Sequence, residues 1–144
     1  MRDRTPVQTL ALVVGVVFLL VGILGFVPGV TSHYGDLSFA GHGSGAKLLG
    51  LFQVSILHNL FHLLFGVVGV VLARTAEGAA TFLTGGGIVY LALWVLGAVG
   101  VAGWLPANTA DNWLHFVLGI GLLGLGFAAG RSRSASHAAV ASPS

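Results

Sequence analysis

The chain has 144 residues, of which 56% are hydrophobic and 7% charged, and its formal net charge is +2. Soluble domains carry about 25% charged residues, so this composition excludes an ordinary water-soluble domain and is typical of a membrane protein. The six Lys and Arg residues are spread over the ends of the apolar segments and form no basic face, so no nucleic-acid partner is expected.

Four apolar segments follow one another along the chain, at residues 7–27, 54–77, 80–102 and 111–130. Each has about the 20 residues that a helix needs to cross a hydrocarbon core of about 30 Å. We therefore predict an all-α fold, an integral membrane four-helix bundle formed by a single domain over residues 1–130. The remaining residues 131–144 are small, polar and unpatterned, and we expect a disordered cytoplasmic tail.

The connections between the spans differ in composition. Residues 28–47 are rich in Gly and Ser, which favours turns and irregular backbone over strands. A short second connection is expected around residues 76–79, so the second and third helices should be antiparallel neighbours. In the third connection, Pro106 ends the preceding helix, and Asn108 or Thr109 is positioned to cap the next one.

Positive charge is distributed unevenly over these connections. Lys47 is the only basic residue in the first and third connections, whereas the N-terminus, the second connection and the C-terminus carry Arg2, Arg4, Arg74, Arg131 and Arg133. Basic residues accumulate on the cytoplasmic side of membrane proteins. This distribution predicts a multi-pass protein of the bacterial inner membrane with both termini in the cytoplasm.

An Asn-x-x-His-x-x-x-Gly pattern occurs twice, and an offset of 53 positions superposes Asn59, His62 and Gly66 on Asn112, His115 and Gly119. Both copies enter the membrane from the same side. The repeat therefore predicts two tandem helical hairpins in parallel orientation, related by an axis along the membrane normal.

Polar residues cluster around both copies of the pattern. His58 and His62 share one face of a helix because they are four positions apart, and Asp111 and His115 have the same spacing. Unpaired polar groups in hydrocarbon cost several kcal/mol, so these side chains should point inward. We expect His62 and His115 to lie at similar depth and to face each other across a polar centre formed by His58, Asn59, His62, Asp111, Asn112 and His115.

Three interpretations of this polar centre remain open. In the first, it is structural: each Asn bonds to the partner hairpin, and each His bonds to a carbonyl or an Asn. In the second, His62 and His115 are axial ligands of haem b, or a divalent metal binds among His58, His62, Asp111 and His115. In the third, the centre conducts protons or a small solute. We expect no cofactor on the first interpretation.

The aromatic residues have simpler explanations. Trp104 falls where an aromatic belt would lie at the membrane interface, and packing is a sufficient explanation for Tyr90 within the third helix. The sequence contains no Walker loop, nucleophile elbow, HExxH pattern or paired carboxylates. We therefore expect a non-enzymatic protein, structural or partner-binding, whose partners are the lipid bilayer and either another membrane protein or a second copy of itself.

The segments AGHGSGAKLLGLFQVSILHNLFHLLFG and DNWLHFVLGIGLLGLG closely resemble a bacterial family of small four-span membrane proteins, a domain of unknown function numbered four-three-eight-three. The likeness extends from Pro6 to Gly130 and is most specific at residues 58–66 and 111–119. This resemblance implies a four-helix integral membrane protein and implies no particular activity.

Overall fold

Four helices account for most of the chain in a computed structural model that describes residues 4–101, 103–104 and 108–141, with side chains as far as Arg131. The helices are α1 Pro6–Leu24, α2 Ile56–Leu72, α3 Ala76–Ala98 and α4 Thr109–Ala141. Three of them, α1, α3 and the part Thr109–Arg131 of α4, are long and apolar enough to cross a membrane. The fourth, α2, is a shorter apolar helix of 17 residues. The chain is therefore mostly helical, as predicted.

The helix boundaries follow from residues that satisfy free backbone groups. At α1, Thr5 and Gln8 form a capping box, and Pro6 occupies the first helical turn. The Asn108 side chain accepts a hydrogen bond from the backbone amide of Asp111, which confirms the predicted cap of α4. The predicted position of the second connection is wrong: it lies at residues 73–75, because the Thr75 hydroxyl accepts the amide of Gly78 and starts α3 there.

Helix α1 packs along α2, and α3 packs along α4. A Cβ atom added at Gly15 would lie 3.0 Å from the carbonyl oxygen of Gly66, and one at Gly87 would lie 2.9 Å from that of Gly119. Only glycine allows backbones to approach so closely, and such approach is what holds helices together in lipid. The glycine content therefore serves packing inside both helix pairs.

Contacts of α3 with α1 and α2 join the two pairs. A core of buried aromatic and aliphatic side chains lies there. Its largest members are Phe18, Phe82, Leu83, Tyr90 and Leu122.

At the other end of the core from the residue 73–75 connection, residues 28–55 fold into a compact unit, here called the cap. It contains an antiparallel sheet with the order β1 Thr31–Ser32, β2 Lys47–Leu48 and β3 Phe52–Gln53. Ala46, Leu48 and Val54 form a second small core against the end of α1. The prediction of irregular backbone over residues 28–47 is wrong at Thr31, Ser32 and Lys47, because two-residue strands depend on this packing and have no compositional signal of their own.

The cap also bonds to the helices that flank it. Backbone amides of Ile56 and Leu57, in the first turn of α2, donate to carbonyls of Ser38 and Phe39. On the other side, Gln53 donates its backbone amide to Asp111 of α4 at 3.0 Å. The cap therefore connects the α1–α2 pair to the α3–α4 pair.

The backbone of α4 continues as a helix to Ala141, so the prediction of a disordered tail is wrong over residues 131–141. Positions 142–144 of the predicted tail lie outside the described residues. Four of the ten residues from 132 to 141 are alanine, which is the strongest helix former. Extending an existing helix also avoids the cost of nucleating a new one.

Candidate functional site

The two histidines of α2 lie on one face of the helix, as their spacing predicts. The Ser55 hydroxyl accepts the backbone amide of His58 and starts the helix, which sets the rotation of the residues that follow. The rings of His58 and His62 stack with centroids 4.6 Å apart and an angle of 16° between their planes. Stacked rings present their faces to each other, so their nitrogens do not converge on one point.

A third imidazole comes from α4. His115 is only 4% exposed, and its ring centroid lies 6.5 Å from that of His58. Its ring also contacts Tyr90 of α3 at 5.4 Å. The structure therefore brings three histidines from two helices together, at one side of the core and below the cap.

His62 and His115 are joined through two other aromatic rings. His62 contacts Phe18 with centroids 5.2 Å apart, Phe18 contacts Tyr90 at 5.4 Å, and Tyr90 contacts His115. Phe18 and Tyr90 were not among the predicted site residues.

The two asparagines take other positions than predicted. The side-chain amide of Asn59 occupies the space that a Cβ atom of Gly25 would need, and Asn112 is placed in the same way against Gly97. Each asparagine thus packs within its own helix pair. No hydrogen bond between Asn59 and Asn112 is present in the described part of the chain, where Asn59 Nδ2 and Asn112 Oδ1 are buried without partners. The predicted bond across the two pairs is therefore not observed.

Asp111 binds the start of α4 and the cap, and it does not belong to the histidine cluster. Its Oδ2 accepts the backbone amides of Asn108 at 2.9 Å and Gln53 at 3.0 Å. Among the residues that the structure describes, no three His, Asp or Glu side chains are arranged to hold a metal ion. The candidate metal set His58, His62, Asp111 and His115 is therefore not assembled.

The imidazoles lack the hydrogen bonds expected of a structural polar centre. Nδ1 of His62 and Nδ1 of His115 are buried without a partner. The His58 imidazole and the Tyr90 hydroxyl make no hydrogen bond to any described residue either. Buried polar groups are normally paired, and unpaired ones call for an explanation.

The side chains that carry these groups line a cavity of about 170 Å³ between α2, α3 and α4. Its lining consists of His58, Phe61, His62, Phe65, Val89, Tyr90, Leu93, Trp104 and His115. Seven of these nine side chains are rings, and most of the exposed lining is apolar. Sequence reasoning assigned Tyr90 to packing and Trp104 to an interfacial belt. A hydroxyl within the apolar part of α3, residues 85–98, was the signal that could have identified Tyr90.

The cavity does not fit haem. Pockets for drug-sized ligands have volumes of roughly 300–1,000 Å³, and the haem macrocycle belongs in that range. The cavity beside His58 and His62 has about 170 Å³. His62 and His115 are also connected through Phe18 and Tyr90, whose rings occupy the space where a macrocycle between them would lie.

The fold and the site define a class of small, mostly helical proteins with apolar helices compatible with a membrane and with an aromatic cavity near one end. Within that class, the chain belongs to the family DUF4383, a domain of unknown function, whose profile matches residues 8–128. This finding confirms the family resemblance described from the sequence. Neither a curated protein nor a solved structure matches the chain.

Proposed function

We propose that this protein is a multi-pass membrane protein in which all four helices cross the bilayer as a four-helix bundle. Helix α2, with 17 residues, spans about 26 Å at the helical rise of 1.5 Å per residue. That length is close to the roughly 30 Å of a hydrocarbon core, and a short span is accommodated by local thinning. Because α2 packs along α1, a bilayer that surrounds α1 also surrounds α2.

Equivalent contacts support the arrangement of two tandem hairpins. Phe18 and Tyr90 are 72 positions apart, as are Gly15 and Gly87. Phe18 contacts His62 at 5.2 Å, and Tyr90 contacts His115 at 5.4 Å. The histidines in these two contacts, His62 and His115, are 53 positions apart, which is the offset found in the sequence. Helix α1 therefore corresponds to α3, and α2 corresponds to α4. Phe18 and Tyr90, which touch each other, would lie beside the axis that relates the hairpins.

The charge distribution supports an orientation with both termini in the cytoplasm of a bacterium and the cap outside the inner membrane. Arg4 and Arg74 lie at the same end of the helices, because the side-chain amide of Gln8, one turn after Arg4, donates to the carbonyl of Arg74 at 2.8 Å. The chain has no cysteine, so single cysteines can report topology. A membrane-impermeant thiol reagent applied to intact spheroplasts should label Gly35→Cys in the cap and leave Arg4→Cys unlabelled. The reverse pattern would overturn this orientation.

Within this frame we propose that the protein is a non-enzymatic binding protein for a small, membrane-soluble molecule. The observation that carries this proposal is the cavity of about 170 Å³, which is lined by three imidazoles, two of them with a buried nitrogen that has no hydrogen-bond partner. An engineered apolar cavity of about 150 Å³ in another protein binds benzene, so this volume suits a ligand of one ring. A purely structural centre would leave fewer polar groups without partners.

A conduit along the bundle is a weaker explanation of the same residues. Beyond Phe65, the core continues with Phe82, Leu83 and Leu122, which are at most 4% exposed. Phe65 and Phe82 have ring centroids 4.9 Å apart. These close-packed rings and aliphatic side chains offer water no hydrogen-bonding partner at the positions that they occupy.

Fluorobenzene tests the binding proposal through its ¹⁹F NMR signal, measured with the protein in lipid nanodiscs. The wild type should add a signal from bound probe that is distinct from probe dissolved in lipid. Val89→Phe, which enlarges a side chain of the cavity lining, should remove that signal. Val95→Phe is the matched control, because Val95 also lies on α3, has the same 47% exposure and does not line the cavity. A bound signal that survives Val89→Phe, or none in the wild type, would refute the proposal.

A further inference from the structure

We infer that the cavity binds the ring of a quinone or its quinol, whose hydrocarbon tail remains in the bilayer. This inference rests on the proposed binding function and names its ligand class. It combines three properties of the site: the cavity volume, the unpaired hydrogen-bonding groups and the place where the cavity reaches the surface.

The volume selects a single ring. A benzene molecule occupies an apolar cavity of about 150 Å³ in another protein. The present cavity, at about 170 Å³, leaves little more than the room for substituent oxygen atoms. Phe65, Tyr90 and the two stacked imidazoles are among its lining residues, and flat rings pack well against aromatic side chains. A ligand with two fused rings would need a larger site.

The unpaired groups select a ligand with hydrogen-bonding oxygens. A neutral imidazole has one N–H donor and one acceptor nitrogen, and a tyrosine hydroxyl both donates and accepts. His58 and Tyr90 therefore can donate to the carbonyl oxygens of a quinone or accept from the hydroxyls of a quinol. Either form would satisfy groups that have no partner within the described part of the chain. A ring without oxygens would leave them unpaired.

The hydroxyl of Tyr90 is not needed for packing. In the first hairpin the corresponding position is Phe18, whose ring packs against His62 as Tyr90 packs against His115. A phenylalanine thus fills the equivalent place without a hydroxyl. Tyr90 is 5% exposed and lines the cavity. Phe18, its counterpart in the first hairpin, does not line the cavity and has no hydroxyl.

The surface opening selects a ligand that comes from the membrane. Two residues of the lining, Phe61 on α2 and Val89 on α3, are 51% and 47% exposed. Both lie inside apolar helices, so their exposed surfaces face acyl chains when the helices are in a bilayer. His62 is six residues from the start of α2, or about 9 Å along the helix. A ring at this depth can keep its tail between α2 and α3 and parallel to the lipids.

The test compares three probes with the same ten-carbon tail at equal mole fraction in nanodiscs: a decyl-substituted benzoquinone, decylbenzene and a decyl-substituted naphthoquinone. Binding is measured as the upward shift of the thermal unfolding midpoint with probe concentration. The benzoquinone should bind about tenfold more tightly than decylbenzene, since its oxygens add hydrogen bonds. The naphthoquinone should bind more weakly than the benzoquinone.

Tyr90→Phe and His58→Phe provide the matched variants, because each keeps a ring in place and removes only hydrogen-bonding atoms. Both should weaken benzoquinone binding several-fold and leave decylbenzene binding unchanged. Tyr90→Phe copies the packing already present at Phe18, so it is expected to fold.

Failure of the inference is distinguishable from failure of the proposed function. If decylbenzene binds as tightly as the benzoquinone, and Tyr90→Phe changes neither, the cavity binds apolar rings and the quinone assignment is wrong. If neither these probes nor fluorobenzene binds, the binding function itself is wrong. Equal or tighter binding of the naphthoquinone would overturn the single-ring argument.

Discussion

Removal of the Asp111 carboxylate should destabilise the protein strongly, although this residue lies outside the histidine cluster. Asp111 is 2% exposed, and its Oδ2 accepts backbone amides from Asn108 at 2.9 Å and from Gln53 at 3.0 Å. In Asp111→Ala both amides lose their acceptor. A partly buried donor left without an acceptor costs about 1–3 kcal/mol, so we expect a loss of about 2–4 kcal/mol in the free energy of unfolding.

The substitution Asp111→Asn separates geometry from charge. One oxygen atom of Asp111 accepts both amides, and the asparagine amide has one such oxygen in the same place. We therefore expect Asp111→Asn to cost less than half as much as Asp111→Ala. Unfolding in mixed micelles with increasing SDS measures both values, and hydrogen exchange of the Gln53 amide should accelerate only in the alanine variant.

Asp36→Ala is the control for this experiment. Asp36 is an exposed cap residue whose side chain makes no hydrogen bond in the described part of the chain, so its removal should change stability by less than about 0.5 kcal/mol. Equal losses for Asp111→Ala and Asp36→Ala would show that the cap does not stabilise the helices through Asp111. Equal losses for Asp111→Asn and Asp111→Ala would show that the charge, and not the shared oxygen atom, is what matters.

Three further predictions concern helix packing and capping, and SDS unfolding tests each. Gly15→Ala should cost about 1–3 kcal/mol, because its Cβ would lie within 3.0 Å of the α2 backbone, whereas Gly85→Ala should be nearly neutral, since nothing lies within 4 Å there. Gln8→Ala should cost about 1–2 kcal/mol through its bonds to two carbonyls at the end of α2, and an unchanged stability would contradict that role. Ser55→Ala removes a helix cap and should cost about 1 kcal/mol. Asn108→Ala should cost more, because the Asn108 side chain also donates to the carbonyl of Leu51 in the cap at 2.7 Å. The opposite order would be evidence against that bond.

Local patterns in the sequence were enough to predict the helices. Four apolar segments of sufficient length predicted four helices, and the structure has helices at all four places. Asn108 or Thr109 was predicted to cap α4 from its position after Pro106, and Asn108 does so. Such features depend on the residue types within one or two turns, so they can be recognised without any knowledge of the fold.

The cap was beyond the reach of the same patterns. Its link to α4 joins Gln53 to Asp111, which are 58 positions apart, through a backbone amide that every residue but proline has. Its strands have two residues each, shorter than any periodic pattern can reveal. Their pairing depends on the packing of Leu48 and Val54 against α1, which exists only after the chain has folded.

The polar residues show the same division. Their presence inside apolar segments, and the shared face of His58 and His62, followed from helical periodicity. The residues that these polar side chains contact could not be predicted from helical periodicity. Gly25 leaves room for the side chain of Asn59 within the α1–α2 pair, so this asparagine does not reach across to Asn112.

The amino-acid sequence by itself determined which segments are helical, where several of them begin and which faces carry polar groups, because those properties depend on neighbours along one helix. Only the tertiary structure decided that three imidazoles meet Tyr90 around a cavity and that Asp111 holds the cap instead of a metal. A cavity is the space that packed helices leave between them. Its volume depends on how side chains from α2, α3 and α4 meet, and no single segment contains that information.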